Sequence, residues 1–466
     1  MEQVKSKGMK DMTEGPLFSK ILLFSLPLVA TGLLNRFFNI ADTIMVGRWG
    51  GATPEACEVA LAAVGSCGAL SFLIVNFFFG LSAGAGVLVA HAMGAKKYDD
   101  VGRVVHTALF VALVAGAFST TVGVLLTRTL LQWTGVAPEV MQEAVPYMRA
   151  VFFGMTGVLL YNYSAACLRS AGDSARPLVF LTISGILNVL FNFISVVVLK
   201  LGAMGVGIST AVSNWASAGM ILLYMSRQEG PLHLSFSKIR PDKEKLKGIL
   251  KIGLPSGIQG ALFSFSNVIV QAGVNSFPVS IVAGNTAAGN LGDIIYVVQN
   301  AMYHAALTFV GQHVGAKKHR RMVKCFWLCV AVVVALGVIA GVTIYLFGRP
   351  LLSLFAPDNE AAIEAGMVRL AVLSLTYFMC GMQEVGSGTL RALGKSTTAM
   401  VIGFFGVVVI RMIWIYTVFR VYHTPVVLYM TYPVSWLFLV VTFYIFCMIE
   451  MRRFRKSLEA SGSFEQ

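Results

Sequence analysis

Charge is scarce in this chain. Of its 466 residues only 12% are Asp, Glu, Lys or Arg, against 56% that are hydrophobic, where a soluble domain carries roughly a quarter charged residues. The mean hydropathy is +0.75, which excludes an ordinary soluble globular protein. Cysteine is also sparse: the seven are scattered mostly within apolar stretches, with Cys325 and Cys329 on one helix face, and their spacing suggests neither a disulfide framework nor a zinc site. No glycine-rich phosphate loop ending in Lys-Ser/Thr occurs, so the chain carries no ATP engine. A nucleophile–base pair and a metal-ligand cluster are likewise missing, so neither an enzyme nor a cofactor is expected. The first twenty residues include Glu2, Asp11 and Glu14 and lack a short apolar core with a small-residue cleavage site. They read as a cytoplasmic tail, not as a signal peptide.

What abounds is long apolar runs. Twelve windows of about 20 residues with little or no charge lie at 17–47, 57–92, 104–131, 140–168, 178–199, 203–225, 249–276, 279–314, 325–347, 360–390, 397–419 and 424–449. Each is expected to be a helix, because backbone amides facing lipid find no partner outside their own segment. The net charge of +14 is placed accordingly. Of the 36 Lys and Arg, 27 fall on the two termini and the junctions after even-numbered segments, counting Lys20 and Lys251 at the very edges of their windows, five on the opposite junctions, and four (Arg36, Arg149, Arg369 and Arg411) well inside segments. The positive-inside rule then puts both termini and the loops around Lys97 and Lys318 in the cytoplasm. The basic excess is accounted for without nucleic acid, and the expected partner is a lipid bilayer.

The chain also says one thing twice. Leu26-Pro27 matches Leu254-Pro255 at an offset of 228, Gly94–Lys97 matches Gly315–Lys318 at 221, Ala137-Pro138 matches Ala356-Pro357 at 219, and Leu168-Arg169 matches Leu390-Arg391 at 222. Glycine stopping a helix and lysine anchoring it would explain one such match; four in register indicate a duplicated six-helix unit. The predicted organisation is a tail at 1–16, a first lobe at 17–226, a cytoplasmic linker at 227–247, a second lobe at 248–450 and a tail at 451–466. Six crossings return each copy to the same side, so the lobes are predicted to be parallel and related by a pseudo-two-fold axis along the membrane normal, an arrangement typical of alternating-access transporters.

A charge at the bilayer centre costs about 2.5–3.5 kcal/mol on insertion scales, so a retained one faces a cavity or a partner. In the first segment Asn35, Asn39 and Asp42 share a face. Ser184, Asn188, Asn192 and Ser195 form a stripe in the fifth, and Thr210, Asn214 and Ser217 one in the sixth. Such stripes also serve helix-to-helix hydrogen bonding, worth about 0.6 kcal/mol per contact. Asp42 points further: an ionised carboxylate amid amide oxygens is a cation site, and a protonated one is a proton carrier. In the second half Asp293 and Asn300 share a face of the eighth segment, Gln271 lies in the seventh and Glu384 in the tenth. Asp293 and Glu384 suit recognition of a cationic substrate, with Gln271 and Asn300 as polar neighbours, and equally suit salt bridges to Arg149, Arg369 or Arg411.

These residues resemble the multidrug and toxic compound extrusion (MATE) transporters over essentially the full length, most closely the bacterial branch related to DNA-damage-inducible exporters and MepA-like pumps. The resemblance rests on Leu26–Leu28, "ADTIMVG" at Ala41–Gly47, "GAKK" at Gly94, "CLRSAGDSARP" at Cys167–Pro177, "NVLFN" at Asn188–Asn192 and "GVGISTAV" at Gly205–Val212. It implies an all-α integral membrane fold of twelve helices in two six-helix lobes, V-shaped, exporting cationic amphiphiles against an inward flow of H+ or Na+ and needing no other cofactor. It places a cation site on Asp42, Asn188, Asn192 and Thr210, and a bending point of the first helix at Pro27. Many relatives have aspartate where this chain has Asn192, so a single carboxylate remains and a one-proton cycle through Asp42 is expected over Na+ coupling. The expectation is therefore an H+-coupled antiporter of amphiphilic compounds in a bacterial cytoplasmic membrane, working as a monomer. The alternatives are a flippase of lipid-linked or cell-wall precursors from the same superfamily and, from another class, an intramembrane enzyme or a non-transporting scaffold.

Overall fold

The computed structural model describes residues 11–355, 357 and 359–462. The match at Ala356 and the outermost parts of both tails, 1–10 and 463–466, lie outside them. Among the described residues there is no strand, as the demand for backbone hydrogen bonds within each segment requires. The helices are α1 Leu17–Trp49, α2 Pro54–Gly94, α3 Tyr98–Trp133, α4 Met141–Ser170, α5 Ala175–Asn192, α6 Gly202–Arg227, α7 Lys243–Val274, α8 Val279–Gly315, α9 His319–Leu346, α10 Gly348–Ser353, α11 Glu360–Leu373, α12 Tyr377–Ala392, α13 Ser396–Gly403, α14 Ile410–Trp414 and α15 Pro425–Ala460. Three π-helical stretches extend them: Phe193–Val198 after α5, Phe404–Val409 between α13 and α14, and Ile415–Phe419 after α14.

Twelve crossings are expected from the hydropathy, and among the described residues ten spans are long and apolar enough, or eleven when α11 and α12, bent by 48°, count as one. The missing crossing is α7. Its 32 residues are ample, but Ser256, Gln259, Ser264, Ser266, Asn267 and Gln271 dilute its apolar content, and several of these turn out to hold arginines of other helices.

The chain divides into two compact units. One holds residues 30–93 and 97–254, the other 11–29, 94–96 and 255 onward. The boundary therefore falls at Leu254–Pro255 and not within the linker expected at 227–247. The cause is glycine: a Cβ on Gly84 would stand 2.3 Å from the Ile249 carbonyl and one on Gly253 2.4 Å from that of Leu81, so the first turns of α7 lie backbone to backbone on α2. In the second unit Met12 N donates to Gln312 Oε1 at 3.2 Å and Arg321 to the Gly15 carbonyl at 2.7 Å, tying residues 11–29 to α8 and α9.

Each unit has its own core. In the first, Gly154 and Gly157 of α4 meet the backbone of Ala211 and Asn214 of α6, and Val105, Leu159, Tyr163, Leu168, Ile221 and Met225 cluster beside them. In the second, Phe309, Phe326, Val333, Leu390, Leu439 and Phe443 are buried together.

The duplication is written in the backbone. Lys96 and Lys317 both take the left-handed conformation, at φ 56° and 59°, rare for residues other than glycine, and the next lysines sit at φ −89°, ψ 74° and φ −91°, ψ 75°. Gly172 and Gly394 also have positive φ, and each is followed by the same closing bond, Asp173 N to Leu168 O at 2.9 Å and Lys395 N to Leu390 O at 2.8 Å. These are helix ends of Schellman type, in which a glycine with positive φ lets the chain cover an orphan carbonyl.

Candidate functional site

In the first unit, α1 carries Asp42 to the end of α5. Asn188 and Asn192 stand one turn apart on α5, so both side chains project from one face, and the π-helical stretch begins directly after Asn192. Such stretches are frequent at functional sites because they break the regular ladder and re-aim side chains. Asn192 Nδ2 donates to Asp42 Oδ1 in a short hydrogen bond and lies 3.4 Å from Asn188 Oδ1. Asn192 is fully buried at 0% exposure, Asn188 is buried and Asp42 is half-buried. The Asn192 Oδ1 atom is buried with no hydrogen-bond partner, an orphan acceptor beside a carboxylate.

The next turn fixes this end of the helix. Ser195 Oγ lies 3.0 Å from the Gly205 carbonyl and 2.9 Å from Ser209 Oγ, which itself donates to Gly205 O at 2.9 Å. The hydroxyls thus stitch α6 to the π-helical end of α5, and Ser184 Oγ adds a bond to the Ser213 carbonyl at 2.6 Å.

Other predicted residues fall at varied distances from this centre. Thr210 is half-buried on α6 next to Ser209. Asn214 lies against α4, its Nδ2 3.5 Å from where a Cβ of Gly154 would stand. Asn35 and Asn39 are exposed, and the Asn39 carbonyl accepts from Thr43 Oγ1 at 2.9 Å. Pro27 lies inside α1 without ending it, just before the chain passes from one compact unit to the other. Periodicity missed Tyr147 of α4, whose hydroxyl lies within electrostatic reach of Asp42 and of Cys67 on α2. A tyrosine in an apolar helix, with no polar stripe around it, does not announce itself.

In the second unit Asn300 and Tyr296 of α8 are hydrogen-bonded, and Glu384 of α12 lies within electrostatic reach of Tyr296. Phe263 of α7 stacks on Tyr296 with ring centres 6.4 Å apart. Asp293 is half-buried on α8 with Tyr377 in reach. Gln271 stands apart, exposed and bonded to Asn275 at 2.9 Å. The arginines weighed as partners in this half bond neutral groups or lie at the surface. Arg369 bonds the carbonyl and side chain of Asn285 and Arg149 is exposed. Arg411, at 1% exposure, is held by Ser266, Asn267 and Ser435. Arg391, the landmark arginine of the repeat, bonds Tyr303 and, at 2.8 Å, Gln259. Buried guanidiniums need acceptors, and amide and hydroxyl oxygens supply them as geometry allows.

The fold and site define a polytopic helical membrane protein built from two copies of one unit, with an acid meeting an amide inside the first copy. The family model described as MatE matches residues 27–194 and 255–417, one match in each copy, starting at Pro27 and Pro255. The chain belongs to the MATE family of transporters. It is 27% identical over 395 residues to the probable multidrug resistance protein YoeA of Bacillus subtilis, covering 83% of each chain, and 23% identical over 400 residues to the probable multidrug resistance protein NorM of Thermotoga maritima, covering 83% of this chain and 82% of that one. Among solved structures, the outward-facing conformation of a multidrug resistance MATE family transporter of the MOP superfamily superposes with a TM-score of 0.87 over 97% of this chain and 99% of that one, at 19% identity.

Proposed function

We propose that this transporter is an antiporter that exports amphiphilic organic compounds, cationic ones foremost, across the cytoplasmic membrane of a bacterium, driven by protons in preference to Na+, with both termini in the cytoplasm and the monomer as the working unit. The observation that carries the reading is the contact of Asp42 with Asn192, whose buried oxygen is left without a partner. An ionised Asp42 accepts the amide N–H. A protonated Asp42 has an O–H to give, and a half-turn of the isosteric amide presents Asn192 Oδ1 to take it. The two protonation states thus ask for opposite orientations of one buried side chain, on a helix end stitched to α6 by Ser195 and Ser209. Transport requires that substrate bind the two resulting arrangements differently. One carboxylate among neutral amides favours a proton over Na+, since the second negative charge that would hold a metal ion is absent. The relatives' description as multidrug resistance proteins supports the substrate class. A flippase for pyrophosphate-linked lipids has less support: it calls for open guanidiniums, and Arg411 is shut among neutral oxygens.

The test is dye efflux from proteoliposomes with H+ and Na+ gradients imposed separately. Efflux should follow the proton gradient, and Asp42→Asn should lower it about 5- to 150-fold, the range of a coupling free energy of 1–3 kcal/mol. Efflux indifferent to both gradients would reject antiport, and a fully active Asp42→Asn protein would reject Asp42 as the coupling group.

A further inference from the structure

We propose that Arg411 is a resident cation: in the second copy of the repeat its guanidinium occupies the station that an exchangeable cation takes at Asp42 in the first, so that this copy needs no coupling ion of its own. The inference rests on the reading of Asp42 above and extends it to the other half.

The correspondence follows from the repeat. At the offset of 228 that relates Pro27 to Pro255, the α1 stripe Asn35, Asn39 and Asp42 falls on Phe263, Asn267 and Val270 of α7. Arg411 comes 223 positions after Asn188, one more than the 222 separating Arg169 from Arg391, as the single residue added by the π-helical stretch Phe404–Val409 requires. In the first copy α5 reaches α1 through Asn192 and Asp42. In the second, α14 reaches α7 through Arg411, whose Nη1 lies 3.3 Å from Asn267 Oδ1 and 3.3 Å from Ser266 Oγ. The second copy has lost the acid and acquired the positive charge.

The cage around that charge is oriented for it. Ser266 Oγ donates to the Val407 carbonyl at 2.6 Å and Ser435 Oγ to that of Tyr432 at 2.8 Å, so lone pairs, not protons, face the guanidinium, and Ser435 accepts from Nε at 3.2 Å. The Tyr432 ring lies 4.5 Å and the Phe263 ring 6.0 Å from Cζ, with negative ring faces available to a cation. No carboxylate among the described residues forms an ion pair with it. A diffusible ion on so few neutral oxygens would exchange freely; a tethered guanidinium cannot leave, so neutral oxygens suffice.

The test uses the full-length protein in detergent and in liposomes. Arg411→Ala should melt below wild type, and added guanidinium should raise its Tm saturably where equal urea, the neutral isostere, does not. Arg411→Gln, which keeps bulk without charge, should lower gradient-driven efflux about fivefold or more, while Arg411→Lys retains more of it. An Arg411→Ala protein that treats guanidinium and urea alike overturns the proposal. So does an Arg411→Gln protein with wild-type Tm and wild-type efflux, which is read even if the alanine variant does not fold. Continued proton dependence in Asp42→Asn would instead sink the first-copy reading, and the guanidinium response, read by melting, is independent of it.

Discussion

At Asn192 a single oxygen-for-nitrogen difference separates an amide from an aspartate, and the site's charge turns on it. Asn192→Asp would place a second carboxylate against Asp42 in a buried position, where two like charges cannot both ionise without a cation between them. The expected outcome is Na+-stimulated efflux, measured at fixed pH with and without a Na+ gradient; an unchanged response would remove the explanation of ion choice. A second acid works outside the membrane. Asp242 accepts the backbone N–H groups of Lys245 and Glu244 at the start of α7, at 3.2 and 3.0 Å. Those bonds, led by Lys245, with help from Arg103 and the Lys245 side chain, hold its carboxyl below the usual value of 3.8. A depressed folded-state pKa contributes stability that is present above the unfolded value and lost as pH falls through the folded one. The Tm gap between wild type and Asp242→Ala should therefore be open at neutral pH and close below pH 3.8. Asp42, Asn188 and Asn192 were legible as residues because polar groups stand out in apolar helices. Tyr147 was not, since its reach to Asp42 is set by tertiary packing.

Helices α4 and α6 hold the first unit together by close approach. A Cβ on Gly157 would lie 2.9 Å from the Asn214 carbonyl carbon, and one on Gly154 2.7 Å from Ala211 Cα. Small residues at such crossings let backbones touch where lipid offers no hydrophobic drive. Gly157→Val should force α6 away from α4 and with it the Ser195–Ser209 stitch, costing about 1–3 kcal/mol; a melting curve unchanged from wild type would show that the crossing tolerates bulk. The π-helical stretches belong to the same scale. Apolar periodicity gives no sign of them, because a one-residue bulge leaves composition untouched. The break between α11 and α12 was equally silent in a segment that reads as one run at 360–390.

Across the whole molecule, charge predicts the orientation and duplication sets the plan. All seven cysteines are buried, so a single cysteine replacing the exposed Arg320 in the first turn of α9 can report the side on which it lies. The positive-inside reading predicts labelling by an impermeant maleimide only from the cytoplasmic face, with Arg349→Cys labelled only from the other; the reverse pattern would invert the topology. The two lysines in left-handed backbone, Lys96 and Lys317, show that the copies share conformation where they share sequence. Residues 11–29 and the first turns of α7 group in a way the linker's composition did not foretell. Their placement is decided by Gly84, Gly253 and Gln312, contacts made over long separations.

The sequence alone determined that this chain crosses a membrane many times as helices and that it is built twice, because the cost of exposing charge and backbone to lipid is paid residue by residue and leaves a local record. The tertiary structure decided which buried groups meet: that Asp42 finds an amide, and that Arg369, Arg391 and Arg411 find neutral oxygens and rings. Pairing depends on helix crossings, and a stripe along one helix does not say what faces it.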